Sequence, residues 1–213
     1  MGNIAYATGD NKVTQNEHPM EDLRVRRTRK SLQDAFIELT IQKGFEAVTV
    51  RDITERAMVN RATFYRHFQD KYDLLERYME DLYLVLDTPE PVVPVVPSSP
   101  PAGLVHMMEH LQAHAEFYRT MLGPKGYLLF AEKIREYIEK RIRRSLPFTI
   151  TQSQPGQPPQ DLIMSSITSA SMGSIRWWLE NGTPYTPYQM AAWAVQLSYA
   201  YLKSTLSIFP SPL

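Results

Sequence analysis

The segment Thr49–Leu75, TVRDITERAMVNRATFYRHFQDKYDLL, contains two short helix signals separated by a brief turn. Thr49 suits the N-cap of the first helix, and Asp52 supplies part of a capping box. Asn60 suits the N-cap of a second helix that continues to Phe68. Two short helices joined by a turn of three or four residues predict a helix-turn-helix.

The second of these helices separates into two faces when about 100° is assigned to each residue. With Phe64 at 0°, Phe68 falls at about 40°, so we expect the two phenylalanines to be buried. Ala62, Thr63 and Arg66 occupy the opposite arc. Small side chains permit close approach to a major groove, and an arginine can pair with a guanine edge, so this arc is typical of a DNA-reading surface.

Phosphate contacts are expected on both sides of that arc. Tyr65 and His67 flank it, where the phosphate backbones would lie. Lys71, in the first turn of the next helix, and Thr49, at the start of the first, offer further phosphate contacts. The run RVRRTRK at 24–30 has five basic residues in seven and predicts an arm for the minor groove or backbone, formed by Arg24, Arg26 and Arg27. The alternative is a solvated charged face on an ordinary bundle, but the capped helices, short turn and small-and-basic arc favour DNA binding.

Helical periodicity recurs along the rest of the chain and strand signals are scarce, so we expect an all-α protein. Residues 1–22 are expected to be a disordered tail, and Gly44 to follow the end of a first helix that starts near Leu23. The helix-turn-helix domain, with its linking helix, then covers 23–86. A proline-rich linker at 87–103 separates it from a C-terminal domain at 104–213, whose predicted helices cover residues 104–121, 125–145, 160–181 and 186–208.

Composition excludes several classes of protein. The 23 basic and 23 acidic residues balance, so any nucleic-acid surface must be a local patch. The absence of cysteine removes disulfides, thiol nucleophiles and Cys-based zinc sites, and it favours a cytoplasmic location. Neither a membrane span nor a signal peptide is expected. No nucleophile–base pair, paired carboxylates or glycine-rich phosphate loop indicates an enzyme, and no cofactor is expected.

The segment at 49–75, preceded by RTRKSLQDAFIELTIQKGFEAV, resembles the DNA-binding domain of TetR-family transcriptional regulators. The resemblance covers about residues 24–80 and implies an all-α homodimer whose third helix enters the major groove. Carried over by position, it implies base contacts from Arg51, Arg61, Ala62, Thr63 and Arg66, and phosphate contacts from Thr49, Tyr65, His67 and Lys71. Family members often have glycine in the turn, whereas this chain has Met58, and a non-glycine residue with positive φ would be strained.

The second half is similar, more weakly, to a subgroup of TetR-like C-terminal domains, through FYRTMLGPKG and IRWWLENGTPYTPYQMAAWAVQLS. Methionine and aromatic side chains line apolar ligand cavities, and Arg176 offers a partner for an anionic group. The residues expected to line an effector pocket are Met107, Met108, Leu111, Phe117, Tyr118, Tyr127, Phe130, Met172, Arg176 and Trp177. An ordinary core would use the same residue types.

Three histidines, His106, His110 and His114, recur every four residues on one predicted helix. A pair at this spacing can bind zinc, but no H-E-x-x-H pattern accompanies them. We therefore expect histidines at the surface or at the edge of a pocket, and no metal site.

The resemblance implies that the last two helices pair with those of a second subunit in a four-helix bundle. From residue types, the interface would use Ala191, Ala192, Val195 and Tyr199, with Trp193 and Leu197 beside them, although an intrachain core is equally compatible.

Two functions remain open from the sequence. The first is a repressor that a small-molecule effector releases from its operator. The alternative is a regulator whose C-terminal domain docks a protein partner and acts as an activator or co-regulator.

Overall fold

A computed structural model describes residues 19–86, 99–145 and 158–207. Within these ranges the chain is all-α, as predicted, and no helix there is long and apolar enough to cross a membrane. The helices in chain order are α1 (Pro19–Lys43), α2 (Val50–Arg56), α3 (Arg61–His67), α4 (Lys71–Leu86), α5 (Ala102–Ala113), α6 (Ala115–Leu122), α7 (Leu128–Ser145), α8 (Gln160–Glu180) and α9 (Pro187–Ser207).

The predicted caps set the bounds of the helix-turn-helix. Thr49 and Asp52 form a reciprocal capping box at the start of α2, and the Asn60 side chain accepts a hydrogen bond from the Ala62 amide at the start of α3. Gly44 ends α1 with a φ of 83°, a conformation that favours glycine. Local polar signals therefore fix where these elements begin and end.

Met58 occupies the left-handed position of the turn between α2 and α3, with a φ of 53°. Its amide donates to Glu55 O, and the Val59 amide donates to Thr54 O, which is the hydrogen-bond pattern of a Schellman motif. The Met58 side chain is 93% exposed, so no packing offsets the strain of its Cβ atom in this conformation. The turn therefore has the left-handed conformation expected at this position, and Met58 adopts it at a cost in steric strain.

Replacing Met58 with glycine is therefore expected to raise the free energy of unfolding by about 0.5–1 kcal/mol, because glycine removes the steric strain. Urea unfolding of both proteins measures the difference. Met58→Ala is the control, since alanine keeps the Cβ atom and should match the wild type. Equal stability of the glycine and alanine variants would contradict the strain.

Some boundaries differ from the sequence prediction. Helix α1 begins at Pro19 rather than near Leu23, and the helix predicted at 104–121 is two helices that meet at His114. This break redirects α6 so that Phe117 and Tyr118 enter the core, a change that a continuous apolar stripe does not reveal. Of the tail expected at 1–22, residues 19–22 are helical, and of the linker expected at 87–103, residues 102 and 103 belong to α5. The remaining parts at 1–18 and 87–98, and the loop at 146–157, lie outside the described residues.

The loop between α6 and α7 packs the two halves of the chain together. The Phe45 amide donates to Lys125 O at 3.3 Å, and the Tyr127 ring stacks on the Phe45 ring at a centroid distance of 4.9 Å. Lys133 of α7 also forms an ion pair with Glu76 of α4. One hydrophobic core runs from α1 through α4 into α5–α9, so a movement in the second half can reach the helix-turn-helix.

Candidate nucleic-acid interface

Helix α3 has the two faces that its sequence predicts. Phe64 and Phe68 are buried at 0% and 2% exposure. On the other side, Ala62 and Arg66 are exposed and Thr63 is half-buried. The rings of the two phenylalanines lie 5.6 Å apart and fix the helix against its neighbours. The small-and-basic arc therefore faces solvent.

A basic cleft lies between the first turns of α1 and helix α3. Its volume is about 910 Å³. The residues that line it are Leu23, Arg24, Val25, Arg27, Thr28, Thr63, Arg66 and His67. Arg24 and Arg27, two of the three arginines expected in an arm, thus lie beside α3. They belong to helix α1 rather than to an extended arm, and Arg26 does not line the cleft.

Thr28 was missed by the sequence reasoning. It lies one helical turn after Arg24, so the spacing of four residues on α1 is the signal that would have placed it on the same face.

The exposed arginines are each held by a nearby side chain. Arg66 Nη2 donates to Thr63 Oγ1 at 3.2 Å, within the arc expected to face bases. Arg61 Nη2 donates to the Tyr65 hydroxyl at 3.3 Å. On α2, Arg51 Nε donates to Glu55 Oε1 at 2.7 Å. These hydrogen bonds are exposed and weak, so a base or a phosphate can replace the present partner of each arginine.

His67 lies at the edge of the cleft in a strongly positive environment. Partial burial lowers the pKa of His67, and the nearby Arg29 and Arg66 lower it further. A phosphate beside this side chain would act in the opposite direction and favour the protonated imidazole. His67 and the exposed Tyr65 thus flank the exposed arc of α3, and their phosphate contacts stay a prediction.

Two of the expected phosphate ligands have other partners in the structure. Lys71 Nζ donates to Phe45 O and Glu46 O, both at 3.0 Å, and lies 4.6 Å from the centre of the Phe45 ring. The Thr49 hydroxyl donates to Asp52 Oδ2 at 2.6 Å within the capping box. Lys71 therefore closes the loop after α1, and Thr49 closes the start of α2.

Asp52 supplies a negative charge at the start of α2, where a phosphate was expected. Its carboxylate also forms an ion pair with Lys43 at 2.7 Å. The hydrogen bonds from Lys43 and Thr49 lower the pKa of Asp52 to about 2. The carboxylate therefore stays charged at neutral pH and occupies the position of an anion at this helix end.

A small apolar cavity lies among α4, α5, α6, α7 and α8, with a volume of about 20 Å³. This is room for about one water molecule. Its walls are Leu82, Tyr83, Met107, His110, Leu111, Tyr118, Leu122, Ile134, Tyr137, Ile138 and Ile175.

Three of the ten residues expected in an effector pocket line this cavity, namely Met107, Leu111 and Tyr118. The others lie elsewhere. Phe117 and Phe130 pack in the surrounding core, as do Met108 and Met172, and Tyr127 stacks on Phe45.

Arg176 and Trp177 were also expected in the pocket, but both lie outside the cavity at the protein surface. Arg176 is exposed and donates to Glu180 at 2.8 Å, while Trp177 is exposed and stacks on Tyr185. They project from the outer face of α8 because the neighbouring Trp178 takes the buried position. Arg176 therefore does not line the cavity, where it was expected to bind an anionic group of the effector.

The three histidines have different surroundings. His110 lines the cavity, and its Nε2 atom lies 3.1 Å from the Tyr118 hydroxyl. His114 is half-buried at the helix break, and His106 is exposed. In the parts of the chain that are described, no group of three or more His, Cys, Asp or Glu side chains is arranged to hold a metal ion.

The residues expected in the subunit interface do not share one exposed face. Ala191 is fully buried within the subunit, and Ala192, Val195 and Tyr199 are half-buried. Trp193 and Leu197 are exposed. Ala191 therefore packs in the core of its own subunit, and an interface formed by the other residues stays a prediction.

Comparison with known proteins matches both halves of the chain. Residues 32–78 match the family model described as bacterial regulatory proteins of the tetR family, and residues 98–199 match the model of a transcriptional regulator C-terminal region. YxbF, a helix-turn-helix transcriptional regulator of Bacillus subtilis, is 40% identical over 60 residues. That match covers 28% of this chain and 16% of YxbF, so the chain spans only a small part of this relative.

Solved structures of similar fold cover most of the chain. A TetR transcriptional regulator from Streptococcus agalactiae superposes with a TM-score of 0.63 and 22% identity, covering 85% of this chain and 99% of that one. The dihydroxyacetone kinase operon activator DhaS superposes with a TM-score of 0.58 and 19% identity, covering 86% and 98%. The chain belongs to the TetR family of transcriptional regulators, which are DNA-binding proteins that act as dimers and are not enzymes.

Proposed function

We propose that this regulator is a repressor, that it binds its operator through α3 and the basic cleft, and that a small-molecule effector in the apolar cavity releases it. Arg51, Arg61, Ala62, Thr63 and Arg66 contact bases. Tyr65, His67, Arg24 and Arg27 contact phosphates, with Arg26 at the edge of that surface. Lys71 and Thr49 support the helices instead of the DNA.

The observation that carries effector release is that helix α4 forms one wall of the cavity. Leu82 and Tyr83 contribute that wall, and the same helix begins at Lys71, directly after α3. A ligand larger than the cavity must separate α4 from α5 and α7. Because the start of α4 is bonded to the loop after α1, this displacement reaches the DNA-binding half.

Release then follows from linkage. A dimer reads two half-sites about 34–36 Å apart, so a change in the spacing of its recognition helices lowers operator affinity. An effector that binds the wider-spaced dimer more tightly shifts the population toward it.

The dimer face in this proposal consists of the exposed stripes of α8 and α9. On α9, Trp193, Leu197 and Tyr201 recur every four residues and are exposed. On α8, the exposed Ala170 and Gly173 permit close approach of a facing helix. A Cβ atom added at Gly173 would meet nothing within 4 Å in this subunit. These two surfaces support a four-helix bundle between subunits.

The variant Leu111→Trp tests effector release, because it fills the cavity from α5 and imitates a ligand. We expect it to stay folded, to lose about 1–3 kcal/mol of stability through overpacking, and to bind operator DNA more weakly than the wild type. Fluorescence anisotropy with operator selected from random DNA measures the affinity. The control is Ile163→Trp, an equally crowded change in a separate buried cluster. Full operator affinity in the folded Leu111→Trp dimer would contradict release through the cavity.

A competing function is that of an activator that docks a protein partner. The small size of the cavity favours it, because a drug-sized ligand does not fit the cavity as it stands. In-vitro transcription from the selected operator separates the two. Repression by the protein alone supports the proposal, whereas stimulation that needs a second protein supports the competitor.

A further inference from the structure

The cavity at α4–α8 has a specific chemistry as well as a location. If the proposed function holds, this chemistry determines the class of effector that the cavity binds. The cavity is lined by apolar side chains together with three tyrosines and one histidine. These four polar groups decide which ligands the cavity accepts.

Among the described residues that line the cavity there is no aspartate, glutamate, lysine or arginine. Burial lowers the pKa of His110 to about 4, helped by the neighbouring His114, so this imidazole is neutral at physiological pH. Arg176, the cation that the sequence predicted in the pocket, is exposed and donates to Glu180. A charged ligand would lose its hydration here without gaining a counter-ion, which strongly disfavours it.

The wall includes a buried tyrosine hydroxyl that lacks a hydrogen-bond partner. The Tyr83 hydroxyl is buried and has no hydrogen bond to another protein group, whereas the Tyr118 hydroxyl is paired with His110. Burial raises the pKa of Tyr83, so the phenol keeps its proton and remains a hydrogen-bond donor. An unpaired buried donor is costly, and a ligand with an acceptor atom would remove that cost.

The wall also favours a flat ligand. The rings of Tyr83 and Tyr137 stack at a centroid distance of 4.3 Å with an angle of 5° between their planes. Both residues line the cavity, together with Met107 and Leu111. A planar ring can extend such a stack, and the flexible methionine can adapt to it.

We propose that the effector is a neutral, planar, ring-containing molecule with a hydrogen-bond acceptor, and that the Tyr83 hydroxyl donates to this acceptor. Binding inserts the ring among α4, α5 and α7 and gives Tyr83 its missing partner. Carboxylates and phosphates are excluded from the site.

Three probes of equal size and shape separate these requirements. Acetophenone has a ring and a carbonyl acceptor, α-methylstyrene replaces the carbonyl with a CH₂ group, and benzoate carries a negative charge. Calorimetric titration of the dimer is expected to rank acetophenone above α-methylstyrene and to detect no binding of benzoate.

Two tyrosine variants then test the named hydroxyl. Tyr83→Phe is expected to lower the affinity for acetophenone roughly 3- to 10-fold and to leave that for α-methylstyrene unchanged. Tyr78→Phe is the matched control, because the Tyr78 hydroxyl is also buried without a hydrogen-bond partner but does not line the cavity. Both variants should be at least as stable as the wild type, since each removes an unpaired buried polar group.

The inference is overturned if benzoate binds as tightly as acetophenone, if neither neutral probe binds, or if the two tyrosine variants have the same effect on acetophenone. The proposed function fails separately, if acetophenone binds through Tyr83 yet leaves operator affinity unchanged.

Discussion

Replacing Leu197 with aspartate is expected to convert the dimer to monomers and to lower operator affinity about 100-fold or more. Leu197 is 64% exposed in the single subunit and lies at the middle of the apolar stripe on α9. A carboxylate there would be buried without a partner between two subunits, which a dimer does not tolerate. Since each monomer reads only one half-site, the advantage of two linked contacts is lost.

Sedimentation velocity measures the oligomeric state of this variant, and anisotropy measures its operator affinity. Gln196→Asp is the control, because it adds the same charge at an exposed neighbour about 100° around the helix from Leu197. If the Leu197→Asp protein remains dimeric and binds the operator normally, the subunit interface lies on another face.

Replacing Arg66 with alanine is expected to cost about 1–3 kcal/mol of operator binding, or roughly 5- to 150-fold in affinity, and to relax preference at one base pair of each half-site. Arg66 is exposed on α3, and Thr63 holds its guanidinium at the mouth of the basic cleft. Binding to DNA of unrelated sequence should fall much less, because the other cations of the cleft remain.

Competition titrations with operator and unrelated DNA measure both effects of the Arg66 change. Arg135→Ala is the control, since this arginine lies on α7 and pairs with Glu139, away from the cleft. An equal loss on both kinds of DNA would show that Arg66 contacts phosphate rather than a base.

Local signals in the sequence were sufficient to place the helices of the DNA-binding half. The capping residues Thr49, Asp52 and Asn60 and the terminating Gly44 act on atoms a few positions away, so their effects can be predicted from spacing. The two faces of α3 follow from helical periodicity alone.

Contacts between distant segments could not be predicted in this way. Lys71 was expected to hold a phosphate, but its partners are carbonyl oxygens about 25 positions earlier in the chain. Tyr83 and Tyr137 line the cavity only because α4 and α7 meet there. Trp177 and Trp178 are adjacent and equally apolar, and only packing decides that the second is buried.

The central claim is that the exposed arc of α3 reads DNA bases in a symmetric dimer. Selection of binding sites from random DNA, performed with wild type and Arg66→Ala, tests it most directly. The account predicts an inverted repeat for the wild type, with half-site centres about 34–36 Å apart, and loss of preference at one position in each half-site for the variant. Enrichment of the same sequence by both proteins, or of no sequence by the wild type, would contradict it.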